Sequence, residues 1–137
     1  MNILICGASG LVGSRLAIYL SSKHFKLVLA TRSRINFELP NTTSIILDWN
    51  DQSSMDAACQ DIDIIVHAAG MNASDSFADP LSAFEVNGMG CARLLRAASK
   101  SSVKRIIYFS TVHVYGSPLS GLLSEDSVTA NIPPYAS

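Results

Sequence analysis

The sequence predicts an α/β domain built on a doubly wound parallel sheet with helices on both of its faces. Short apolar runs alternate along the chain with segments whose apolar residues recur at helical spacing, a pattern typical of parallel strands joined by helical crossovers. A glycine-rich turn at residues 7–13 lies between the first apolar run and the first helical segment. Because 137 residues correspond to about one domain, we expect a single domain over residues 1–137.

Five short and nearly continuous apolar runs are expected to form the strands of this sheet. They occupy residues 3–6, 26–30, 44–47, 62–66 and 105–109. Helical segments begin near Leu11, Ser54 and Pro80, the last continuing to Ala98. In the first of them, Val12, Leu16, Tyr19 and Leu20 share one side, which is expected to face the sheet. Beyond Gly116 the chain turns polar, and no further element is expected.

The composition excludes several classes of function. Hydrophobic residues make up 48% of the chain and charged residues 15%, with a net charge of −1, so neither disorder nor a nucleic-acid partner is expected. The apolar start is too short for a signal peptide or membrane span, which favours a cytoplasmic protein without a membrane partner. Cys6, Cys59 and Cys91 form no CxxC pair, so we expect buried free thiols and no metal site.

The turn Gly7-Ala8-Ser9-Gly10-Leu11-Val12-Gly13 has the spacing GxxGxxG and predicts a dinucleotide site of the Rossmann type. The first glycine permits a tight turn, the second lets a pyrophosphate approach backbone N–H groups, and the third allows close helix packing. The helix N-terminus then faces the anion. The alternative interpretation is a tight strand-to-helix turn without a ligand. The candidate cofactor-binding residues here are Gly7, Ser9, Gly10, Leu11, Val12 and Gly13.

The end of the second strand predicts which dinucleotide is preferred. An acidic side chain at this place accepts from the ribose 2′-hydroxyl of NAD, whereas an arginine pairs with the 2′-phosphate of NADP. The sequence reads Thr31-Arg32-Ser33-Arg34, with Thr31 at the acidic position. Arg32 and Arg34 are expected to clamp the phosphate, which favours NADP over NAD as the cofactor. The alternative is that both arginines are ordinary solvated charges.

Four segments together resemble the extended short-chain dehydrogenase/reductases, in particular the NAD-dependent epimerase/dehydratase group. The GxxGxxG turn at residues 7–13 is one of them, and residues 87–98 resemble the family's NxxGxxxLLxAA helix. The segment Ser110-Thr111-Val112-His113-Val114-Tyr115-Gly116 resembles its (S/T)xxVYG pattern, and Tyr135 matches the start of its YxxxK motif. The resemblance covers residues 3–135.

The resemblance implies further residues on the cofactor side of the site. Asp48 corresponds to an Asp that accepts a hydrogen bond from the adenine amino group, although a lone acid is equally able to cap the next turn. Trp49, which follows it, and the small residues Ala68, Ala69 and Gly70 are expected to line the cofactor cleft. His67, just before them, is expected to be a packed residue and not a catalyst.

The resemblance also implies the catalytic residues. Asn87 is expected to organise the active site and border the cofactor, Thr111 to contact the reacting hydroxyl or carbonyl, and Tyr135 to act as the general acid/base. Val112 and His113 stand where 4,6-dehydratases carry Asp-Glu, which speaks against dehydration. His113 as an unusual acid or base stays the less favoured alternative to packing or substrate contact.

These expectations describe part of an NAD(P)-dependent nucleotide-sugar epimerase acting by hydride transfer at a C–OH/C=O carbon. The alternatives are an NADP-dependent carbonyl reductase of the same fold and a non-catalytic dinucleotide sensor. The expected partners are the dinucleotide, a nucleotide-sugar substrate in the whole protein and a possible second copy in a homodimer. The YxxxK lysine would lie at position 139, beyond Ser137, so we expect a chain truncated before that lysine and the C-terminal substrate lobe, and inactive alone.

Overall fold

A computed structural model describes residues 1–35, 38–116, 119, 121–129 and 135. Five parallel strands form one sheet in the order β3-β2-β1-β4-β5, which confirms the predicted fold class. The strands are β1 Asn2–Cys6, β2 Lys26–Thr31, β3 Thr42–Ile46, β4 Ile64–His67 and β5 Arg105–Tyr108. The helices are α1 Leu11–Ser22, α2 Gln52–Ala58, α3 Ala73–Ala78, α4 Pro80–Ala83 and α5 Gly90–Ser99, with a π-helical turn at Phe84–Met89 and a 3₁₀ turn at Val112–Tyr115.

The strand order reverses at β1, which pairs with β2 on one side and β4 on the other. The chain runs outward from β1 to β3 and then returns to place β4 and β5 on the opposite side. In open α/β sheets a crevice forms outside the carboxyl ends of the strands at such a switch point, and ligands bind there. The turn after β1 and the segment after β4 both lie at this crevice.

The sheet is buried on both faces, which explains why its central strands are continuous apolar runs. On one face, α2 and α5 pack over a cluster that includes Leu4, Ile65 and Leu94. On the other face, α1 covers a cluster that includes Ile5 and Leu29. The central strands β1, β2 and β4 are therefore held between two apolar layers.

All three cysteines are free thiols, as predicted, and two of them are also fully buried as predicted. Cys6 and Cys59 are 0% exposed, whereas Cys91 is half-buried. Burial raises the pKa of the Cys6 thiol strongly and that of Cys59 to about 11, so both stay protonated at neutral pH. Inert thiols of this kind act as small apolar side chains.

The buried side of α1 differs from the predicted one. Val12 and Tyr19 are 54% and 59% exposed, whereas Gly13, Ala17 and Ser21 are buried against the sheet. Small residues allow the helix axis to approach the strands closely, and this close approach decides the orientation of the helix. Leu16 and Leu20, from the predicted side, still pack against the core cluster, so the apolar spacing located the buried side only in part.

Three elements have other boundaries than predicted. Helix α2 begins at Gln52, before the predicted start, because the Asp51 carboxylate accepts hydrogen bonds from the backbone N–H groups of Ser53 and Ser54. Strand β3 runs over Thr42–Ile46 and β4 over Ile64–His67, each displaced from the predicted apolar run. Within the described residues, no helix has the length and apolar character needed to cross a membrane.

Candidate functional site

The glycine-rich turn after β1 is built so closely that two of its glycines admit no side chain. Gly7 has φ of +83°, and a Cβ there would lie 2.7 Å from the backbone nitrogen of Ala69. A Cβ on Gly13 would lie 2.8 Å from the carbonyl carbon of Gly7. Gly10 precedes α1 without any side-chain cap on the helix, so the first N–H groups of α1 remain available to an anion.

A cavity of about 130 Å³, the turn pocket, lies beside this turn at the carboxyl edge of the sheet. It is lined by Gly7, Ser9, Gly10, Ala30, Thr31, Arg32, Trp49, Ala68, Ala69, Gly70 and Val86. Most of the predicted cofactor-binding residues therefore meet at one cavity. Leu11 is exposed at the start of α1 and Gly13 is buried behind the turn, so neither of them lines the turn pocket.

The structure separates the two arginines that the sequence predicts as a phosphate clamp. Arg32 is exposed and lines the turn pocket, whereas Arg34 lines a different cavity of about 590 Å³ together with Glu38. The buried Thr31 hydroxyl donates to the Ser33 carbonyl oxygen at 2.7 Å and holds the intervening backbone in a turn. Of the two arginines, Arg32 lines the turn pocket and Arg34 lines the neighbouring cavity, and the joint clamp stays a prediction.

Of the residues after β3, Trp49 enters the turn pocket and Asp48 does not line it. The Asp48 carboxylate accepts a hydrogen bond from the Asn50 backbone N–H at 2.9 Å, which is the local capping role that the sequence left open. Trp49 is held from two sides. Its carbonyl oxygen accepts from Arg93 Nη1 at 3.3 Å, and a Cβ on Gly90 would lie 3.0 Å from its ring.

A second cavity of about 390 Å³, the strand-end pocket, continues from the turn pocket toward β5. It is lined by Val12, Ala68, Ala69, Gly70, Met71, Asn72, Asn87, Tyr108, Phe109, Ser110, Thr111, Val114 and Tyr135. The two pockets share the segment Ala68, Ala69 and Gly70. The structure thus brings the three predicted catalytic residues, Asn87, Thr111 and Tyr135, around one cavity.

Two of these residues make contacts that orient them. The Thr111 hydroxyl oxygen accepts from the His113 backbone N–H at 3.3 Å and caps the 3₁₀ turn that follows it. The His113 ring stands edge-on to the Tyr135 ring, with centroids 6.0 Å apart. One short turn therefore places Thr111 and supports the ring of Tyr135.

Asn87 ties the helical layer to the segment after β4. Its Oδ1 accepts from the Met71 backbone N–H at 2.7 Å, and its Nδ2 donates to the Met71 carbonyl oxygen at 3.3 Å. Asn87 lies in the π-helical turn Phe84–Met89, and such turns often occur at functional sites. The side chain also crowds Gly70, where a Cβ would be 3.0 Å from Asn87 Oδ1. Asn87 therefore fixes the shared wall of both pockets.

His67 is packed, as the sequence predicts, and makes no hydrogen bond through its side chain within the described residues. Its side chain is 2% exposed, and neither ring nitrogen has a partner there. The ring stacks on Trp49 with centroids 5.2 Å apart and contacts the Tyr108 ring at 5.3 Å. Burial lowers the pKa of His67 to about 4, so the imidazole is neutral at pH 7.

The sequence analysis missed Tyr108 and Met71, which both line the strand-end pocket. Tyr108 lies within an apolar run and was assigned only to a strand. Its position at the carboxyl end of that run is the one signal that places it at the ligand edge of the sheet. Met71 contributes backbone groups, for which a side-chain pattern contains no signal.

Comparison with known proteins agrees with this geometry. Residues 3–137 match the model of the family described as the NAD dependent epimerase/dehydratase family. The chain belongs to this family. Among relatives, the UDP-glucose 4-epimerase of Bacillus subtilis (strain 168) is 30% identical over 98% of the chain. The N-acetyl-alpha-D-glucosaminyl-diphospho-ditrans,octacis-undecaprenol 4-epimerase of Escherichia coli O157:H7 is 35% identical over 84% of it.

Solved structures share the fold of the chain. MoeE5 in complex with UDP-glucuronic acid and NAD superposes on 99% of the chain with a TM-score of 0.90 and 24% identity. The UDP-glucose 4-epimerase of Bifidobacterium longum in complex with NAD+ and UDP covers 99% with a TM-score of 0.88 and 25% identity. The chain spans less than half the length of these proteins: 44% and 34% of the two relatives and 45% of each solved structure.

Proposed function

We propose that this chain forms the dinucleotide-binding part of an NAD(P)-dependent nucleotide-sugar epimerase. The observation that carries the proposal is the pair of contiguous pockets at the switch point of the sheet, one beside the glycine-rich turn and one around Thr111 and Tyr135. Membership in the NAD dependent epimerase/dehydratase family and the two 4-epimerase relatives support the same assignment.

The residues at the turn pocket fit a dinucleotide. The start of α1 has no side-chain cap, so the first N–H groups of the helix are open to a pyrophosphate, and Gly10 places no side chain in front of them. Arg32 is placed to pair with a ribose 2′-phosphate, and Thr31, at the position of the acidic residue, offers no carboxylate to a 2′-hydroxyl. We therefore propose NADP as the preferred dinucleotide, bound through Arg32 and not through Arg34.

The residues of the strand-end pocket fit proton transfer at a sugar carbon. The bound nicotinamide supplies or accepts the hydride. Thr111 and Tyr135 both line this pocket, which supports the proposal that Thr111 holds the reacting oxygen by a hydrogen bond and that the Tyr135 hydroxyl exchanges its proton. Asn87 acts as a positioning residue, because both polar atoms of its amide bond to the Met71 backbone. For epimerisation the hydride returns to the opposite face of the same carbon, without net oxidation.

An NADP-dependent carbonyl reductase is the second candidate, favoured by the place of Arg32 in the turn pocket. The two candidates differ in net turnover, because a reductase consumes NADPH and an epimerase does not. In the whole protein, sustained loss of absorbance at 340 nm with a carbonyl substrate would support the reductase. Dehydration is disfavoured in either case, since Val112 and His113 provide no Asp-Glu pair.

A homodimer is the proposed assembly of the whole protein. Large apolar side chains stand exposed along α3, α4 and the π-helical turn, with Phe77 75%, Leu81 81% and Phe84 65% exposed. Large apolar side chains exposed on neighbouring elements support a protein–protein contact there.

The test of the dinucleotide assignment is calorimetric titration of the chain with NADP and with NAD at one fixed salt concentration. A charge-assisted bond to the 2′-phosphate contributes about 2 kcal/mol, so we expect NADP to bind at least about tenfold more tightly than NAD. The variant Arg32→Ala should lose this preference. Arg34→Ala removes the same charge at a different cavity and should retain it.

Each alternative outcome has a defined meaning. Equal or tighter binding of NAD would contradict the NADP preference while leaving the dinucleotide site in place. Loss of the preference in Arg34→Ala and not in Arg32→Ala would contradict the geometry of the loop after β2. Absence of binding by both dinucleotides would contradict the proposal that this chain holds the cofactor.

A further inference from the structure

Three aromatic rings from distant parts of the chain form a row across the carboxyl edge of the sheet. His67, the last residue of β4, lies between Trp49, which follows β3, and Tyr108, the last residue of β5. The Trp49 and His67 rings are stacked at 22° with centroids 5.2 Å apart, and the His67 and Tyr108 rings are tilted at 59° with centroids 5.3 Å apart. Both separations lie in the range of favourable aromatic pairs.

The outer two rings belong to different pockets. Trp49 lines the turn pocket and Tyr108 lines the strand-end pocket. The segment directly after His67, Ala68 to Gly70, lines both pockets. His67 therefore contacts one lining residue of each pocket, Trp49 and Tyr108. It also directly precedes the segment that lines both pockets.

His67 contributes to the site through the shape of its ring and not through its nitrogens. Its two ring nitrogens have no hydrogen-bond partner among the described residues, and the ring is 2% exposed. A buried polar atom without a partner destabilises a fold by about 1–3 kcal/mol, so the nitrogens do not account for its placement. The neighbouring Tyr108 is 51% exposed, and the buried imidazole contacts its ring from the side of the sheet edge.

We propose that His67 is a positioning residue for the two-pocket site, whose ring holds the indole of Trp49 and the phenol of Tyr108 in place as pocket walls. The proposal rests on the dinucleotide function proposed above. It assigns to His67 a role through its two ring contacts, not through proton transfer. An aromatic ring without nitrogens therefore replaces it, whereas an aliphatic side chain does not.

The test compares His67→Phe, which keeps a ring, with His67→Leu, which fills a similar volume without one. The probe ligand is ADP-ribose, which carries the adenosine and pyrophosphate groups that the turn pocket is proposed to bind. By calorimetry, we expect His67→Leu to bind ADP-ribose about fivefold more weakly than the unchanged chain, and His67→Phe to bind it within about twofold. Trp49 is the single tryptophan of the chain, so its emission reports directly on the stack.

Val66→Ala is the matched control, because Val66 is a buried residue of the same strand that packs in the cluster on the opposite face of the sheet. It should lower the thermal midpoint yet leave ADP-ribose affinity and Trp49 emission unchanged, which separates positioning from stability. Equal affinity losses in His67→Phe and His67→Leu would overturn the proposal, as would affinity in His67→Leu within twofold of the unchanged chain.

The ring contacts are also tested without any ligand. We expect the Trp49 emission maximum to shift to longer wavelength in His67→Leu and to stay in place in His67→Phe. An unshifted maximum in His67→Leu overturns the proposed role of the ring. If the unchanged chain binds neither ADP-ribose nor a dinucleotide, the proposed function fails, and the emission of the two variants still decides whether His67 holds Trp49.

Discussion

Lowering the pH should decrease the unfolding free energy of the chain through His67. The imidazole is buried without a polar partner, and this burial lowers its pKa from the ordinary 6.5 to about 4. In the unfolded chain the same side chain takes up a proton near pH 6.5. The unfolded state therefore binds more protons between these values, and stability falls as the pH decreases through this interval.

The size of the effect follows from the two pKa values. Each pKa unit corresponds to about 1.4 kcal/mol, so the interval from 6.5 to about 4 corresponds to a loss of about 3 kcal/mol. About 2 kcal/mol of it should be lost by pH 5, and none of it is lost above pH 7. The strand neighbours Cys6 and Tyr108 do not titrate in this interval, because burial raises the pKa of both.

Urea denaturation of the unchanged chain and of His67→Phe at pH 7, 6, 5 and 4.5 measures this contribution. Phenylalanine keeps the ring and cannot be protonated, so carboxylates and the other histidines contribute equally to both proteins. We expect the difference in unfolding free energy between the two proteins to grow by about 2 kcal/mol from pH 7 to pH 5. Parallel pH profiles would refute the reasoning, because they would show that His67 takes up protons equally in the folded and unfolded states.

Two further predictions concern the Asn87 clamp and the close packing of α1. Asn87→Ala removes both hydrogen bonds to the Met71 backbone. Amide hydrogen exchange of Met71, measured by NMR, should become faster by about tenfold or more. Unchanged exchange would contradict the proposed positioning role of Asn87. Gly13→Ala should lower the unfolding free energy by about 2 kcal/mol, because the new Cβ would overlap the backbone of the glycine-rich turn. Gly88→Ala is the control, because its Cβ would lie at an ordinary contact distance of 3.5 Å from Phe84. In urea denaturation this change should leave the unfolding free energy unchanged or raise it. Equal effects of the two changes would contradict the role of close packing at α1.

Much of the site was visible in local patterns. Gly7 and Gly13 stand where only glycine fits, and their spacing between a strand and a helix marks the turn without any knowledge of distant contacts. Thr111, two residues beyond the last apolar run, was predicted from its resemblance to a family motif, and it lines the strand-end pocket. Tyr135 was predicted from its resemblance to a family motif, and it lies at the same pocket.

Other features depended on where separate segments meet. Arg32 and Arg34 are two residues apart in an exposed loop, and the turn held by the Thr31 hydroxyl sends them to different cavities. Their spacing in the sequence predicts a joint clamp and contains no signal for this separation. Similarly, Asn87 was predicted as an active-site residue, but its two bonds to Met71 exist only because the helical layer packs against the end of β4.

The sequence by itself determined the alternation of strands and helices, the parallel sheet and the position of the glycine-rich turn, because each of these follows from short-range periodicity or from the conformational needs of single residues. Only the tertiary structure decided which side of α1 is buried and that Trp49, His67 and Tyr108 form one row. Those three rings come from the ends of different strands, and the sheet order β3-β2-β1-β4-β5 together with the packing above it brings them together. Contacts of this kind depend on the close packing of the whole domain, and no local pattern encodes them.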